Sequence, residues 1–462
     1  MTRLSIFAAA REAPNRLALI TQTGRFTYSE LAALTVGRAA ALVKFRAPVL
    51  LQPQLALDSL LWLYAAWAAG TPIVSLHPQA TARERAAVQA LTGARNPPGL
   101  DLAAAPLIVE REVDPEAPFA LMLTSGSTGA PKVVVLSRRA ALASAAASES
   151  NLGLDDDERW LLCLPLSHVA GLSIMVRMLT ARRAVVLMEP AAAGLLARVH
   201  DLGRQIHEQS VTLVSLVPTL LERLLRDGFT RPPALRAVLL GGAGCSPDLA
   251  ERARRAGVPL LTSYGLTETG SQIAARRYAE RYAPLPERSG CVSSGHPLAG
   301  VEIRIVGERI AVKAPALLSG YLGVARAAVD ADGWFITSDR GAFGPQGELY
   351  VLGRSDSVIV TGGENVDPEE VERALRVLPE VQDACVFGLP SVEFGQRVVA
   401  VVVPAAAATT LELEHLTDQL RSQLARFKLP RAVVIADALP FTASGKLDRP
   451  ACAAQFGPRF HG

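Results

Sequence analysis

The stretch Thr124-Ser125-Gly126-Ser127-Thr128-Gly129-Ala130-Pro131-Lys132, TSGSTGAPK, follows directly on the apolar run FALML at 119–123. A short apolar run breaking into Gly, Ser and Thr reads as a strand that leaves a core and turns sharply. The glycines permit positive φ and let a ligand come close to the main chain. Backbone N–H groups, hydroxyls and one ammonium in so short a span make a concave anion site, and phosphate is its natural guest. The plainer alternative is a solvated Ser/Gly turn. The stretch does not fit the nucleotide loop G-x-x-x-x-G-K-[ST], because Pro131 stands where the second Gly belongs and Val133 follows Lys132. A phosphate loop of another kind is needed, and the rest of the chain must say which.

A chain of 462 residues is too long for one ordinary core, so two or more domains are expected. Half of its residues are hydrophobic (50%) and 20% are charged, the balance of a soluble globular protein. The formal net charge is only +3, and arginines alternate with acids, as in ERARRAG and EEVERAL. That mixture gives no continuous basic face for nucleic acid. Cys163, Cys245, Cys291, Cys385 and Cys452 are scattered without C-x-x-C spacing. They read as small hydrophobes of a reducing compartment, neither staples nor zinc ligands. Arg3 and Arg11 interrupt the N-terminal MTRLSIFAAAREAPNR too closely for a secretory signal. The most apolar helical segment, LALDSLLWLYAAWAAG, contains Asp58 and falls short of the roughly 20 residues that span a bilayer. It is expected to be a buried helix in a cytoplasmic protein with no membrane span.

Up to about residue 350, helical and strand-like segments alternate. FTYSELAALTVGRAAALV opens with a capping box, Thr27 with Glu30. APVLL, TPIVSL, FALML, WLLCLPL, AVVLM, VTLVSLVP and AVLLGG read as buried strands, which argues for an α/β architecture with largely parallel, covered sheets. From about 289 the texture changes to short strands and turns, VEIRIVGERIAVKA, DGWFITSDRG and GELYVLG, which fit a smaller antiparallel β-region. After GRSDS comes a compact α+β unit. Its first helix is expected to take Asp367 as cap, Pro368 at the first position and Glu370 to complete a box. A strand VVAVVVP, a helix over LEHLTDQLRSQLARF and a strand RAVVIADALP follow.

Four further stretches join the glycine-rich loop. SYGLTETG sets Tyr264, Gly265, Thr267 and Glu268 after an apolar strand, WFITSDRG sets Asp339 at a strand end, VLGRSD supplies Arg354, and FTASGKLDRP sets Lys446 in a loop. Singly, each carboxylate reads as a surface acid and Lys446 as a solvated lysine. In this order and spacing the set resembles the adenylate-forming superfamily of acyl-CoA synthetases, peptide-synthetase adenylation domains and luciferases, over essentially the whole chain. The resemblance implies a large N-terminal domain over 1–354, with two α/β subdomains and a small β-barrel at about 289–352. It implies a small α+β C-terminal domain over 355–462, hinged at Asp356.

The implied chemistry is R-COO⁻ + MgATP → R-CO-AMP + PPi, then R-CO-AMP + CoA → R-CO-SCoA + AMP. The first step crowds negative charge onto the transition state, so fixed donors must meet it. By resemblance, Thr124, Ser125, Gly126, Ser127, Thr128, Gly129 and Lys132 hold the β,γ-phosphates of ATP, and Glu268 is the Mg²⁺-associated acid. Thr267 contacts the α-phosphate, Tyr264 stacks against adenine, and Gly265 belongs to the same cofactor-binding set. Gly241, Gly242 and Ala243, in LLGGAG, line adenine and the acyl pocket. Asp339 accepts the ribose hydroxyls beside Arg354. Lys446 bridges the substrate carboxylate and the α-phosphate. His168, in LPLSHVAGL, lies between acyl and pantetheine tunnels; the alternative is a hydrogen-bonded core histidine. Gly362 and Gly363, in VTGGENV, meet the site for the coenzyme A half-reaction after the small domain rotates.

Three positions depart from the family pattern: Val133 where Gly is common, Ser137-Arg138 for a hydroxyl–His pair, and Ser167 for an aromatic residue. None removes a charged participant, and Ser167 bears on the acyl pocket. SLVPTLLERLL, LLGGAGCSPDLAERARRAGVPLLTSYGLTE, TSDRG and GGENVDPEEVERAL are most similar to the o-succinylbenzoate–CoA ligase branch, which serves menaquinone biosynthesis. A benzoate-type or medium- to long-chain acyl ligase of secondary metabolism, or an enzyme loading an acyl carrier protein, remains open. So does a homodimer.

Overall fold

The computed structural model describes residues 2–99, 113–125, 131–188, 198–288, 290–325, 328–361, 364–391, 393–405, 412–442 and 445–460. All seven apolar runs read as strands are strands. They sort into two sheets with parallel centres. In the larger, Arg159–Leu162, Leu213–Leu216, Ala237–Leu240 and Leu260–Leu266 run parallel, as do Ala184–Leu187 and Leu17–Ile20 on the other side. Its antiparallel edges are Arg25–Thr27 and the ladder Ser271–Ala275 with His296–Pro297. In the smaller sheet Val49–Leu51, Ile73–Ser75 and Pro118–Ser125 are parallel, and Pro131–Ser137 turns back antiparallel against Pro118–Ser125. The two-residue strand Gly320–Tyr321 closes that edge.

Both sheets are covered by helices, as continuous apolar strands require. Helix Tyr28–Val43 carries the capping box at both hydrogen bonds, Thr27 with Glu30. Helix Leu57–Ala69 has nine buried residues and ends on Gly70 in the left-handed region, φ 70°. Its Trp67 stacks on Phe119 at 5.2 Å, which locks the helix to the strand leading into the glycine-rich stretch. Among the described residues no helix is long and apolar enough to cross a membrane. The five cysteines are free thiols, four of them buried.

Glu302–Val306, Arg309–Lys313, Phe335–Phe343 and Leu349–Arg354 form a four-stranded antiparallel sheet. Beyond it, the strands Ile359–Thr361, Glu364–Val366, Val381–Ser391, Gly395–Pro404 and Ala432–Ile435 make a separate sheet. Its two hydrophobic clusters draw only on residues from Ile359 onward. Two expectations fail in this unit. Glu370 does not complete a capping box. Asp367 accepts from the Glu369 N–H at 2.9 Å, while both Glu370 carboxylate oxygens are taken by the Lys428 ammonium at 2.7 Å. The segment 413–427 is not one helix either. It ends at Leu420 and tightens into turns, so that Leu424 and Phe427 pack on the same core as Leu416 and Leu420.

The C-terminal unit touches the N-terminal part at named points. A Cβ on Gly353, φ 129°, would lie 2.4 Å from an Asp367 carboxylate oxygen, so the chains approach there at backbone distance. Arg340 reaches the same carboxylate at 3.7 Å.

Candidate active site

The strand Leu260–Leu266 brings Tyr264 and Gly265 to the cleft, and a single 3₁₀ turn, Thr267–Thr269, presents Thr267 and Glu268. Gly265 is required by packing: a Cβ there would lie 1.9 Å from the Ser271 carbonyl oxygen of the neighbouring strand. The Tyr264 hydroxyl donates to Asp339 Oδ2 at 2.6 Å. Asp339 lies opposite Arg354 in the antiparallel register, with Arg354 Nη1 at 3.6 Å. Arg354 also donates through Nε to Asp356 at 2.7 Å. Burial raises the Asp339 pKa, while the Tyr264 hydrogen bond and Arg354 pull it back. The result is a buried carboxylate held by two fixed groups, with acceptor capacity left for a ligand's hydroxyls.

Glu268 accepts from the Tyr321 hydroxyl at 3.0 Å, and Lys132 Nζ lies 5.4 Å from the centre of the same ring. Tyr321 is therefore the shared neighbour of the lysine of TSGSTGAPK and the acid of SYGLTETG, and the sequence reading did not include it. Its only local signal is the pair Gly320-Tyr321, and its partners lie far away in the chain. Thr124 and Lys132 face each other in the ladder of the two strands. Gly126, Ser127, Thr128 and Gly129 lie outside the described residues, as do Gly362 and Gly363.

Gly241 and Gly242 follow the strand Ala237–Leu240, and Ala243 comes next. A Cβ on Gly241 would lie 2.8 Å from Ser263 Oγ. Gly242 has φ 81°, and its Cβ would lie 3.0 Å from Lys446 Cε. Lys446 thus arrives from the C-terminal unit against the first glycine-rich turn of the large sheet. Solvent reaches Lys446, yet the walls of the cleft desolvate its ammonium and lower its pKa; Asp339 opposes this and Arg354 adds to it.

His168 caps the helix Val169–Ala181 by position, with no side-chain capping bond. Its loop is pinned by the Ser75 hydroxyl, which donates to the Leu166 carbonyl at 3.0 Å. Gly171 allows the helix to lie against that loop, since its Cβ would sit 2.4 Å from the Pro165 carbonyl oxygen. Burial first, then the positive charge of Lys446 and then His77 push the His168 pKa from 6.5 down to about 4. The imidazole is neutral at pH 7, and an unfolded chain takes up this proton first as pH falls. His168 therefore contributes stability that is complete above about pH 6.5 and is lost as pH drops toward 4. An NMR titration of His168 is expected to give a midpoint near 4 in the free protein. Lys446→Ala is expected to move that midpoint upward; a midpoint at the ordinary value in the unaltered protein contradicts the packing described.

Beyond His168 the same helix lines a mainly apolar cavity with Val169, Leu172, Ser173 and Val176, and Arg177 reaches it too. Arg177 is buried, its Nη2 donates to Ser271 Oγ at 3.2 Å, it lies over the Trp160 ring, and its Nε has no partner among the described residues. Ser167 is also buried with an unpartnered hydroxyl. Of the other departures from the family pattern, Val133 is buried in the strand. Ser137 caps the helix Arg138–Leu152, and Arg138 donates to the Trp67 carbonyl at 3.0 Å.

Asp339, Glu268 and Lys446 all lie within electrostatic reach of Arg354. Residues 96–329 match the AMP-binding enzyme family and residues 370–446 match the AMP-binding enzyme C-terminal domain. The chain belongs to the AMP-binding enzyme family. It is similar to a 2-succinylbenzoate–CoA ligase of Bacillus licheniformis, 38% identical over 341 residues, 71% of this chain and 68% of that protein. Among solved structures it is similar to o-succinylbenzoate CoA synthetase from Bacillus subtilis. The complex with the acyl-adenylate intermediate superposes with a TM-score of 0.84 at 30% identity, covering 96% of both chains. The complex of a double mutant of that enzyme with a product analogue gives 0.69 at 30% identity, over 97% of both chains.

Proposed function

We propose that the chain is an ATP-dependent carboxylic acid–CoA ligase that works through an acyl-adenylate, with o-succinylbenzoate as its acid. The observation that carries the ligase reading is Lys446 seated against Gly242 while its charge is felt by both Asp339 and His168. One ammonium there reaches the place where ribose, α-phosphate and acyl group meet. The higher similarity to the acyl-adenylate complex than to the product-analogue complex supports the view that this arrangement serves the first step.

Asp339 then accepts the ribose hydroxyls, and Tyr264 and Arg354 keep its carboxylate in place. Tyr264 borders adenine together with Gly265, Gly241, Gly242 and Ala243, and Thr267 meets the α-phosphate. Thr124 to Lys132 take the β,γ-phosphates. Magnesium binds proteins through one or two carboxylates and fills its other positions with water and phosphate oxygens, and Glu268 fits that demand. Bound there, it neutralises charge on the triphosphate. Lys446 stabilises the approach of the substrate carboxylate to the α-phosphorus as pyrophosphate leaves. In the second step the thiol of CoA displaces AMP, with neutral His168 between the acyl and thiol sides and Gly362 and Gly363 lining the thiol's approach.

The choice of acid rests on charge. o-Succinylbenzoate carries two carboxylates, and only one can be activated at a time. The other must be met by a cation or stay in water. Arg177, buried beside a small, mainly apolar cavity and with an Nε that has no partner among the described residues, is the cation that can meet it. A panel of carboxylic acids assayed for pyrophosphate release, with and without CoA, tests the reading. The expected preference is for o-succinylbenzoate over benzoate and over fatty acids, and Arg177→Met is expected to lower that preference about tenfold. If long-chain fatty acids give the highest kcat/KM, the substrate assignment is wrong and the ligase assignment stands.

A further inference from the structure

The loop that carries Lys446 is held by a residue outside the machinery assigned above. Thr442 N–H donates to the Lys446 carbonyl at 2.7 Å, Gly445 N–H to the Thr442 carbonyl at 2.8 Å, and Lys446 N–H to Thr442 Oγ1 at 3.1 Å. A bridge between Phe441 and Leu447 closes the turn. These bonds tie Thr442, Gly445 and Lys446 to one another but not to the large sheet. The link to that sheet is made by Gly445, whose carbonyl accepts from the hydroxyl of Thr219, a residue 226 positions away.

Thr219 is the second residue of the helix Pro218–Arg226, which starts directly after the strand Leu213–Leu216. It therefore sits in the first turn of a helix that follows a central strand of the large sheet. Gly445 sits there at backbone distance: φ is 80°, and a Cβ would lie 2.9 Å from Val217 Cγ2 and 3.5 Å from Thr219 Oγ1. Lys446, the next residue, extends to Gly242 on the neighbouring strand end. Two contacts, one at the backbone and one at the side chain, thus register the lysine against adjacent strands of the same sheet.

We propose that Thr219 is a positioning residue for the adenylation step, holding the Gly445 carbonyl so that Lys446 is delivered to the reacting carboxylate. The inference rests on the ligase reading above. The hydrogen bond exists only while the C-terminal unit lies as it does here, so it favours the adenylating arrangement and contributes nothing once that unit turns away.

Thr219→Val keeps the shape and removes the donor; Thr219→Ser keeps the donor. Pyrophosphate release from ATP and acid is expected to fall about two- to tenfold in kcat for Thr219→Val, the range of one lost neutral hydrogen bond. Thioester formation from a supplied acyl-adenylate plus CoA is expected to be unchanged, as is Tm, and Thr219→Ser is expected to restore adenylation. Because Lys446 depresses the His168 pKa, the His168 titration is expected to move upward in Thr219→Val and not in Thr219→Ser, a readout that needs no turnover. Unchanged adenylation in Thr219→Val, or equal loss in both half-reactions, overturns the proposal. Lys446→Ala in the same assay separates the two levels. If Lys446→Ala abolishes adenylation while Thr219→Val does not slow it, the positioning role is wrong and the ligase reading survives. If Lys446→Ala has no effect, both fall.

Discussion

Replacement of Lys446 by alanine is expected to slow ATP-dependent adenylation by about 10²–10³-fold, the usual cost of removing one preorganised donor from a charged transition state. Thioester formation from a chemically supplied acyl-adenylate and CoA is expected to remain nearly intact. The asymmetry follows from where the lysine comes from. Its ammonium rests over Gly242 but its backbone belongs to a unit with its own sheet and its own hydrophobic clusters. A group on such a unit can serve one half-reaction and be absent from the next. Measuring pyrophosphate release and acyl-CoA formation separately decides the matter. Comparable damage to both steps would mean that the lysine stays in the site throughout.

The second large effect is expected at Asp339. Asp339→Ala removes the charged acceptor to which Tyr264 donates and beside which Arg354 lies. The apparent requirement for ATP is expected to rise about 10- to 150-fold, from a charge-assisted hydrogen bond worth about 1.5–3 kcal/mol. Tyr264→Phe takes away only the 2.6 Å hydrogen bond that orients Asp339 and is expected to cost less. ATP titrations of the two folded variants check both the direction and the order. An ATP dependence identical to that of the unaltered protein in Asp339→Ala removes this residue from the nucleotide site.

Much of this architecture is legible in the chain because strong local signals agree with the tertiary outcome. AVLLGG and VTLVSLVP contain strands, Ala237–Leu240 and Leu213–Leu216, because they are mostly apolar and lie between covered faces. Thr27 and Glu30 form their box because both partners are three residues apart. The readings fail where a distant partner outbids the local one. Glu370 has the right spacing for a cap, but Lys428 arrives from elsewhere in the fold and takes its carboxylate. LEHLTDQLRSQLARF has helical spacing to its end, yet its later apolar residues reach the core better through turns. At the site, Asp339, Glu268 and Lys446 stand out by motif. Tyr321 and Thr219 do not, because each acts through a contact made only once the sheets and the C-terminal unit are assembled. Arg177 lies in a mostly apolar helical run, and the role proposed for it depends on a cavity that no sequence window can display.

The short strand Gly320–Tyr321 has a consequence for the site when no nucleotide is bound. One phenol stands between the cation Lys132 and the anion Glu268, so the two charges compensate each other across a single ring. An uncompensated lysine cradle would attract any passing polyphosphate and hold it. Here a phosphate chain stripped of its metal meets a carboxylate as well as an ammonium, and repulsion from Glu268 offsets attraction to Lys132. On the assignment proposed above, the metal-loaded triphosphate is welcomed and bare pyrophosphate is not. On that assignment the pairing makes retention of any phosphate chain depend on the metal it carries.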